Sequence, residues 1–384
     1  MTIDRRTFLK LASAAPFAGV HGIARAAAAP EARKLLVLVE LRGGNDGLNT
    51  VIPYDDPEYA RLRPRLGVAR DQVVQLTPRT GLHPSLEKLH AIWDAKELAI
   101  VQGVGYPQPN LSHFRSIEIW DTASKSDEYL DAGWLARAFA LSPSPSTFAA
   151  DGVVVGPGAM GPLAGGSVRA IALTNPEQFL RNTRLAKGGG ESSNPALAHI
   201  LRVERDVLLS AERLHAGRKF TTEFPAGAFG NAANTAAQLA ANEAGIAVVR
   251  LSLGSFDTHA NQLGTHANLL RQLGDGLAAL REALVEADRW RSTVIATYAE
   301  FGRRPRENQS GGTDHGTSSA HFVMGGAVKG GLYGAPPALD RLDGNGNLPF
   351  AVDFRSYYAT LLERWWDIDP RRVLGGNFPT AAFL

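Results

Sequence analysis

The run Lys34-Leu-Leu-Val-Leu-Val-Glu-Leu41, halted by Arg42-Gly-Gly-Asn-Asp-Gly47, constrains this chain more than any other feature. An apolar run without alternation has no face to turn to water, so it reads as an interior strand buried on both sides and entering a tight loop. Similar runs follow at Leu98 to Val104, Val168 to Leu173, Ile246 to Leu253, Thr293 to Tyr298 and His321 to Met324. Helical patterns lie between or after them, at Pro84 to Ala95, Pro195 to His215, Asn231 to Asn242, Gln262 to Ala287 and Phe354 to Trp366. Strand and helix in alternation imply right-handed crossovers and a mostly parallel central sheet with helices on both faces, the α/β class. The Gly- and Pro-rich stretches Ser142 to Pro162 and Lys187 to Pro195 could be linkers, but no composition shift marks a second domain and no repeat is found.

The first residues read differently. Asp4-Arg5-Arg6-Thr7-Phe8-Leu9-Lys10 precedes a weakly apolar run, Leu11 to Val20, and Ala24-Arg25-Ala26 suits a signal peptidase. This resembles a twin-arginine export signal over residues 1–26. It implies the twin-arginine translocase as export partner, a periplasmic or secreted location, and a single domain over residues 34–384. That route carries folded proteins, often with a metal or cofactor already aboard. No later stretch reaches ~18 uninterrupted apolar residues, so no stable membrane insertion is expected.

Forty Lys and Arg stand against 38 Asp and Glu, a formal charge of +2. The leader alone holds four cations and one anion, so the remainder is close to neutral and a nucleic-acid partner is not expected. The chain has no cysteine, which excludes disulfides, zinc–thiolate sites, iron–sulfur clusters and a Cys nucleophile. Any metal falls to His, Asp and Glu.

In open α/β sheets ligands bind beyond the carboxyl ends of the strands, so the residues following each run are where chemistry is sought. After the first run comes Gly43-Gly44-Asn45-Asp46-Gly47, either a metal carboxylate or a plain turn. After the second comes Asn110-Leu111-Ser112-His113-Phe114, where Ser112 is a nucleophile candidate or a helix N-cap. Ser255-Phe256-Asp257-Thr258-His259 pairs a carboxylate with an imidazole, and His266 is a competing ligand. Tyr298-Ala299-Glu300-Phe301-Gly302-Arg303-Arg304 ends a strand in one acid and two guanidinium groups. Gly311-Gly312-Thr313-Asp314-His315-Gly316 sets Asp beside His between glycines, with His321 shortly after. Neither a dinucleotide glycine fingerprint nor a P-loop is present.

Taken together, E-L-R-G-G-N-D-G-L-N-T-V-I-P, S-H-F, F-D-T-H-A-N-Q, E-F-G-R, G-G-T-D-H-G and G-G-A-V-K-G-G resemble the domain-of-unknown-function 1501 family. The resemblance spans nearly all of the chain from Lys34 onward. That family is typically exported by the twin-arginine route and is grouped with the alkaline phosphatase superfamily, which implies a three-layer α/β/α sandwich. By that resemblance Asp46, Asp314 and His315 hold one divalent cation and Asp257, His259 and His321 hold a second, the metal being Zn, Mn or Fe. Ser112 is then the nucleophile at phosphorus or sulfur, and Arg303, or else Arg115, binds the remaining ester oxygens. Glu300 has no counterpart there and is a candidate ligand or base.

This implies an exported metal-dependent hydrolase of phosphate or sulfate esters, acting on a small ester or a polysaccharide-type substrate. The other class is an inert binding or assembly protein on the same scaffold. The spacing departs from the superfamily pattern: one residue separates Asp257 from His259, and His321 follows His315 by only six positions. Ser112-His113-Phe114-Arg115 does not fit a formylglycine motif, so a sulfatase of that type is not expected.

Overall fold

In the computed structural model, β1 (Leu35–Leu41) is buried at every position and lies inside a nine-stranded sheet. Leu35, Val37, Val39 and Leu41 enter one apolar core, while Leu36 and Leu38 enter another on the opposite face. With both faces covered there is no solvent side to encode, and that is why the run shows no polar alternation. The structure describes residues 33–166, 168–183, 192–194, 201, 205–211, 213–214 and 218–384. The expected leader lies outside the described residues, as do most of Lys187 to Pro195 and much of the helix expected over Pro195 to His215.

The other strands of this sheet are β2 (Leu98–Gly105), β3 (Ala150–Val155), β4 (Ala170–Leu173), β5 (Ile246–Leu253), β6 (Thr293–Tyr298), β7 (Ser319–Met324), β8 (Gly331–Tyr333) and β9 (Val352–Asp353). Their order is β8-β2-β7-β6-β1-β5-β3-β4, with β9 also pairing to β2. Only β7 runs against the rest. Helices Ala228–Ala240 and Gln262–Glu286 cover one face, and His113–Thr122, Trp134–Leu141 and Phe354–Thr360 cover the other. The expected three-layer α/β/α sandwich with a mostly parallel sheet is the observed architecture, and Lys34–Leu384 forms one compact unit.

Several elements escaped the sequence reading, among them three that build the sheet or cover it. The Ser142 to Pro162 stretch, read as a possible linker, contains β3, held between β4 and β5. Ala150-Asp-Gly-Val-Val-Val is short and bounded by proline-rich sequence, which hides it. The helix His113–Thr122 carries Phe114 at 88% exposure, which spoils its apolar stripe, and Trp134–Leu141 has only eight residues.

The reversal of β7 matters for the site. Its first residue lies at the edge where the parallel strands end, so the Thr313 to Ser318 loop joins the loops after β1, β2, β5 and β6. Glycine permits their close approach. Gly43 has φ of +112°, and a Cβ there would stand 2.5 Å from the Asp257 nitrogen. A Cβ on Gly312 would lie 2.3 Å from the carbonyl carbon of His259.

Candidate metal centre

At the carboxyl edge of the sheet, three imidazoles turn toward one carboxylate. His113 opens the helix after β2, Asp257 and His259 lie on the loop after β5, and His315 lies on the loop before β7. His259 Nε2 is 3.0 Å and His315 Nε2 is 3.2 Å from Asp257 Oδ1, and His113 Nε2 is 3.3 Å from Oδ2. His259 Nε2 and His315 Nε2 are 3.0 Å apart. Donor atoms of His113, Asp257 and His315 all lie within 4.8 Å of one another.

Each ring is held from behind. His113 Nδ1–H donates to Glu300 Oε1 at 2.8 Å, and His315 Nδ1–H donates to the Leu111 carbonyl at 2.8 Å. His259 Nδ1 faces Asp314 Oδ1 at 3.4 Å. An acceptor at Nδ1 fixes the tautomer with the Nε2 lone pair directed inward, the arrangement of metal-binding histidines. Three such lone pairs around a carboxylate repel one another unless a cation lies among them. The donor set of imidazole nitrogens and one carboxylate fits Zn²⁺ and also admits Mn²⁺ or Fe²⁺.

Asp257 is kept ionised. Partial burial would raise its carboxyl, but the hydrogen bond and charge of Arg303 outweigh this and hold it at about 2. Burial lowers His315 below the usual histidine range and so favours the neutral, ligating ring. Asp314 is lowered chiefly by the Asn308 side chain, which donates to it at 3.1 Å.

Several expected site residues stand in other roles. Arg303 is buried and donates to Asp257 Oδ1 at 2.6 Å and to the carbonyls of Gly44, Thr313, Gly43 and Phe256. Its donors are spent tying the loops together, so it positions Asp257 and is not turned to a substrate oxygen. Arg115 is likewise bound to the carbonyls of Lys125, Ser126 and Glu128.

Asp46, expected as a ligand, lies outside the cluster. It is buried against Arg63, at 2.5 and 3.0 Å, and accepts from Gln262 at 2.5 Å. Burial would raise it, but the Arg63 charge and hydrogen bond hold it at about 2. A guanidinium thus answers the charge that the resemblance gave to a metal. His321 is also elsewhere: it is buried in β7, edge-on to Trp120, and neither ring nitrogen has a hydrogen-bond partner among the described residues. His266 is buried with Nε2 2.9 Å from Asn45 Oδ1. Among the described residues the close donors form one group, where two had been expected.

Ser112 is exposed at the N-cap position of the His113–Thr122 helix, and its side chain makes no cap bond. It lies between Leu111, which holds His315, and His113. The residue that the sequence reading missed is His113 itself. Its signal was present, an imidazole soon after a strand end, but the neighbouring serine drew the functional reading.

The cluster opens into a cleft of about 590 Å³ whose walls include His113, Asp257, Glu300, Arg42 and Phe114. Glu300 is buried, and its Oε2 makes no hydrogen bond among the described residues. Arg42 is exposed, with a side chain unpaired among the described residues.

Fold and site together define an α/β/α protein with a histidine–carboxylate centre at the carboxyl edge of its sheet. Residues 99–375 match the family described as Protein of unknown function (DUF1501), and the chain belongs to that family. The matched span includes His113, Asp257, His259 and His315. No curated protein matches the sequence.

Solved structures show distant likeness. The C-terminal periplasmic domain of EcEptC from Escherichia coli, in complex with Zn, is 10% identical with a TM-score of 0.36, over 77% of this chain and 74% of that one. PsFucS1 sulfatase from Pseudoalteromonas sp. is 9% identical with a TM-score of 0.41, over 91% and 71%. A protein in the alkaline phosphatase superfamily from Vibrio parahaemolyticus is 8% identical with a TM-score of 0.36, over 78% and 62%. At such scores no chemistry carries over to this chain.

Proposed function

We propose that this chain is an exported hydrolase of phosphate or sulfate esters that works with a divalent cation held by His113, Asp257, His259 and His315. One observation carries the reading: three imidazoles, each backed at Nδ1, direct Nε2 at the same carboxylate. Asp257 and His259 are 44% and 45% exposed at the side chain, which suits an open catalytic site better than a closed structural one. A bound cation of this kind supplies Lewis acidity and makes a nearby hydroxyl or water a stronger acid.

The chain's own groups supply the rest. Ser112 offers an exposed hydroxyl between two residues that belong to the site or support it, which makes it the candidate nucleophile. Glu300 lines the cleft, and its Oε2, without a hydrogen-bond partner among the described residues, is the candidate proton acceptor, while Oε1 orients His113. The Arg42 guanidinium is available to the anionic ester group.

The test is elemental analysis of the purified chain beside Asp257→Ala, followed by hydrolysis of 4-nitrophenyl phosphate and sulfate with Ser112→Ala as control. Divalent metal lost in Asp257→Ala, with ester cleavage abolished in Ser112→Ala, supports the reading. Metal retained without cleavage of either ester would leave the inert binding scaffold, and a folded protein that takes up no metal would remove both.

A further inference from the structure

The cleft has a second polar region that the metal chemistry does not use. Glu40, near the end of β1, Arg250 in β5 and Asp121 near the end of the His113–Thr122 helix all line it. Arg250 donates to Glu40 Oε2 at 2.8 Å, to the Tyr298 hydroxyl oxygen at 2.9 Å and to the Ala159 carbonyl at 2.7 Å. The Tyr298 hydroxyl in turn donates to Asp121 Oδ1 at 3.3 Å. Glu40 Oε1 and Asp121 Oδ2 have no partner among the described residues. Burial, aided by the Glu40 carboxylate and opposed by Arg250, pushes the Asp121 carboxyl up to about 7. Near neutral pH it can both accept and donate.

The wall beside this floor is apolar. Phe114 is 88% exposed and lines the cleft directly after His113, and Ile117 lines it one turn later. The Phe114 ring offers an apolar platform beside the polar floor, and covering it would gain roughly 25 cal/mol per Å².

We propose that this region is a subsite for an uncharged, hydroxyl-rich ring, stacked on Phe114 and hydrogen-bonded by Glu40 and Asp121. The ring is the alcohol half of the ester, and only that clause rests on the hydrolase reading. Charge selects against the alternatives. Glu40 and Arg250 neutralise one another, which leaves no net charge for an ammonium group to answer. A polyanion would meet Glu40 with every Arg250 nitrogen already engaged. Sugar hydroxyls, which donate and accept, match both the free carboxylate oxygens and the aromatic platform.

The experiment is titration calorimetry with neutral oligosaccharides (cellotetraose, mannotetraose, chitotetraose) and with a heparin tetrasaccharide, on metal-loaded and EDTA-treated protein. Saturable binding of a neutral sugar in both metal states, weakened about tenfold in Phe114→Ala, is the expected result. Phe114 is so exposed that its removal leaves the fold intact, and Asp121→Leu should weaken the same sugar. Binding of heparin alone, no binding of any neutral sugar, or binding indifferent to Phe114→Ala overturns the proposal. Sugar binding that persists while both 4-nitrophenyl esters resist cleavage would sink only the hydrolase reading.

Discussion

His113 Nδ1 and Glu300 Oε1 lie 2.8 Å apart, joining the start of a helix after β2 to the loop after β6. The same oxygen accepts the Gly43 N–H at 2.9 Å, so the loop after β1 is fixed by the carboxylate that aims the imidazole. This geometry makes Glu300 a positioning residue for any metal. Glu300→Gln should fold normally yet bind Zn²⁺ about 10- to 100-fold more weakly, the usual effect of altering a group behind a ligand. Competition with a chromophoric chelator measures it, and unchanged affinity would remove the role.

Asp46 and Arg63 form a pair with side-chain exposures of 1% and 0%. Arg63→Met should cost about 3–5 kcal/mol in urea unfolding, because it strands a buried carboxylate. Its metal content should stay at the wild-type value. Since Asp46 is lowered to about 2, the stability it contributes is complete above its ordinary value of 3.8 and is lost as pH falls through 2. A variant that folds well but has lost its metal would return Asp46 to the ligand set.

His321 is pushed down to about 3 by burial. Above the ordinary value of 6.5 both folded and unfolded states are neutral there. Between 6.5 and 3 the unfolded chain takes up a proton that the folded chain refuses, so this residue lowers stability by up to about 1.4 kcal/mol per pH unit on acidification. His321→Leu should remove that component. The gap between wild type and variant should widen by about 2 kcal/mol from pH 6.5 to pH 5 in denaturant titrations; parallel curves would show that His321 has a proton partner.

The proposed export route would depend on Arg5 and Arg6. Replacing both by lysine should retain the chain in the cytoplasm with its leader attached, as read by fractionation and mass. Export unaffected by the double substitution would rule out the twin-arginine route.

Much of the architecture was legible in sequence. The continuous apolar runs became β1, β2, β5 and β6 because a strand buried on both faces needs no polar residue, and that requirement is local. Asp257, His259, Asp314 and His315 could be picked out because each follows or precedes a strand at the edge where such sheets bind ligands.

Which residues share a centre was decided only in three dimensions. Asp46 and Asp257 both follow strands of the sheet. One meets Arg63 from seventeen residues on, and the other meets three imidazoles, one from its own loop, one from the start of a helix and one from the loop before β7. His321 and His315 are six positions apart, but the first faces the aromatic core from within β7 and the second lies on the preceding loop at the sheet edge. Sequence spacing sets what a residue can be, whereas the reversed strand and the glycine-tight loop contacts set which lone pairs converge. That convergence depends on contacts between residues up to 260 positions apart, and a local pattern does not record them.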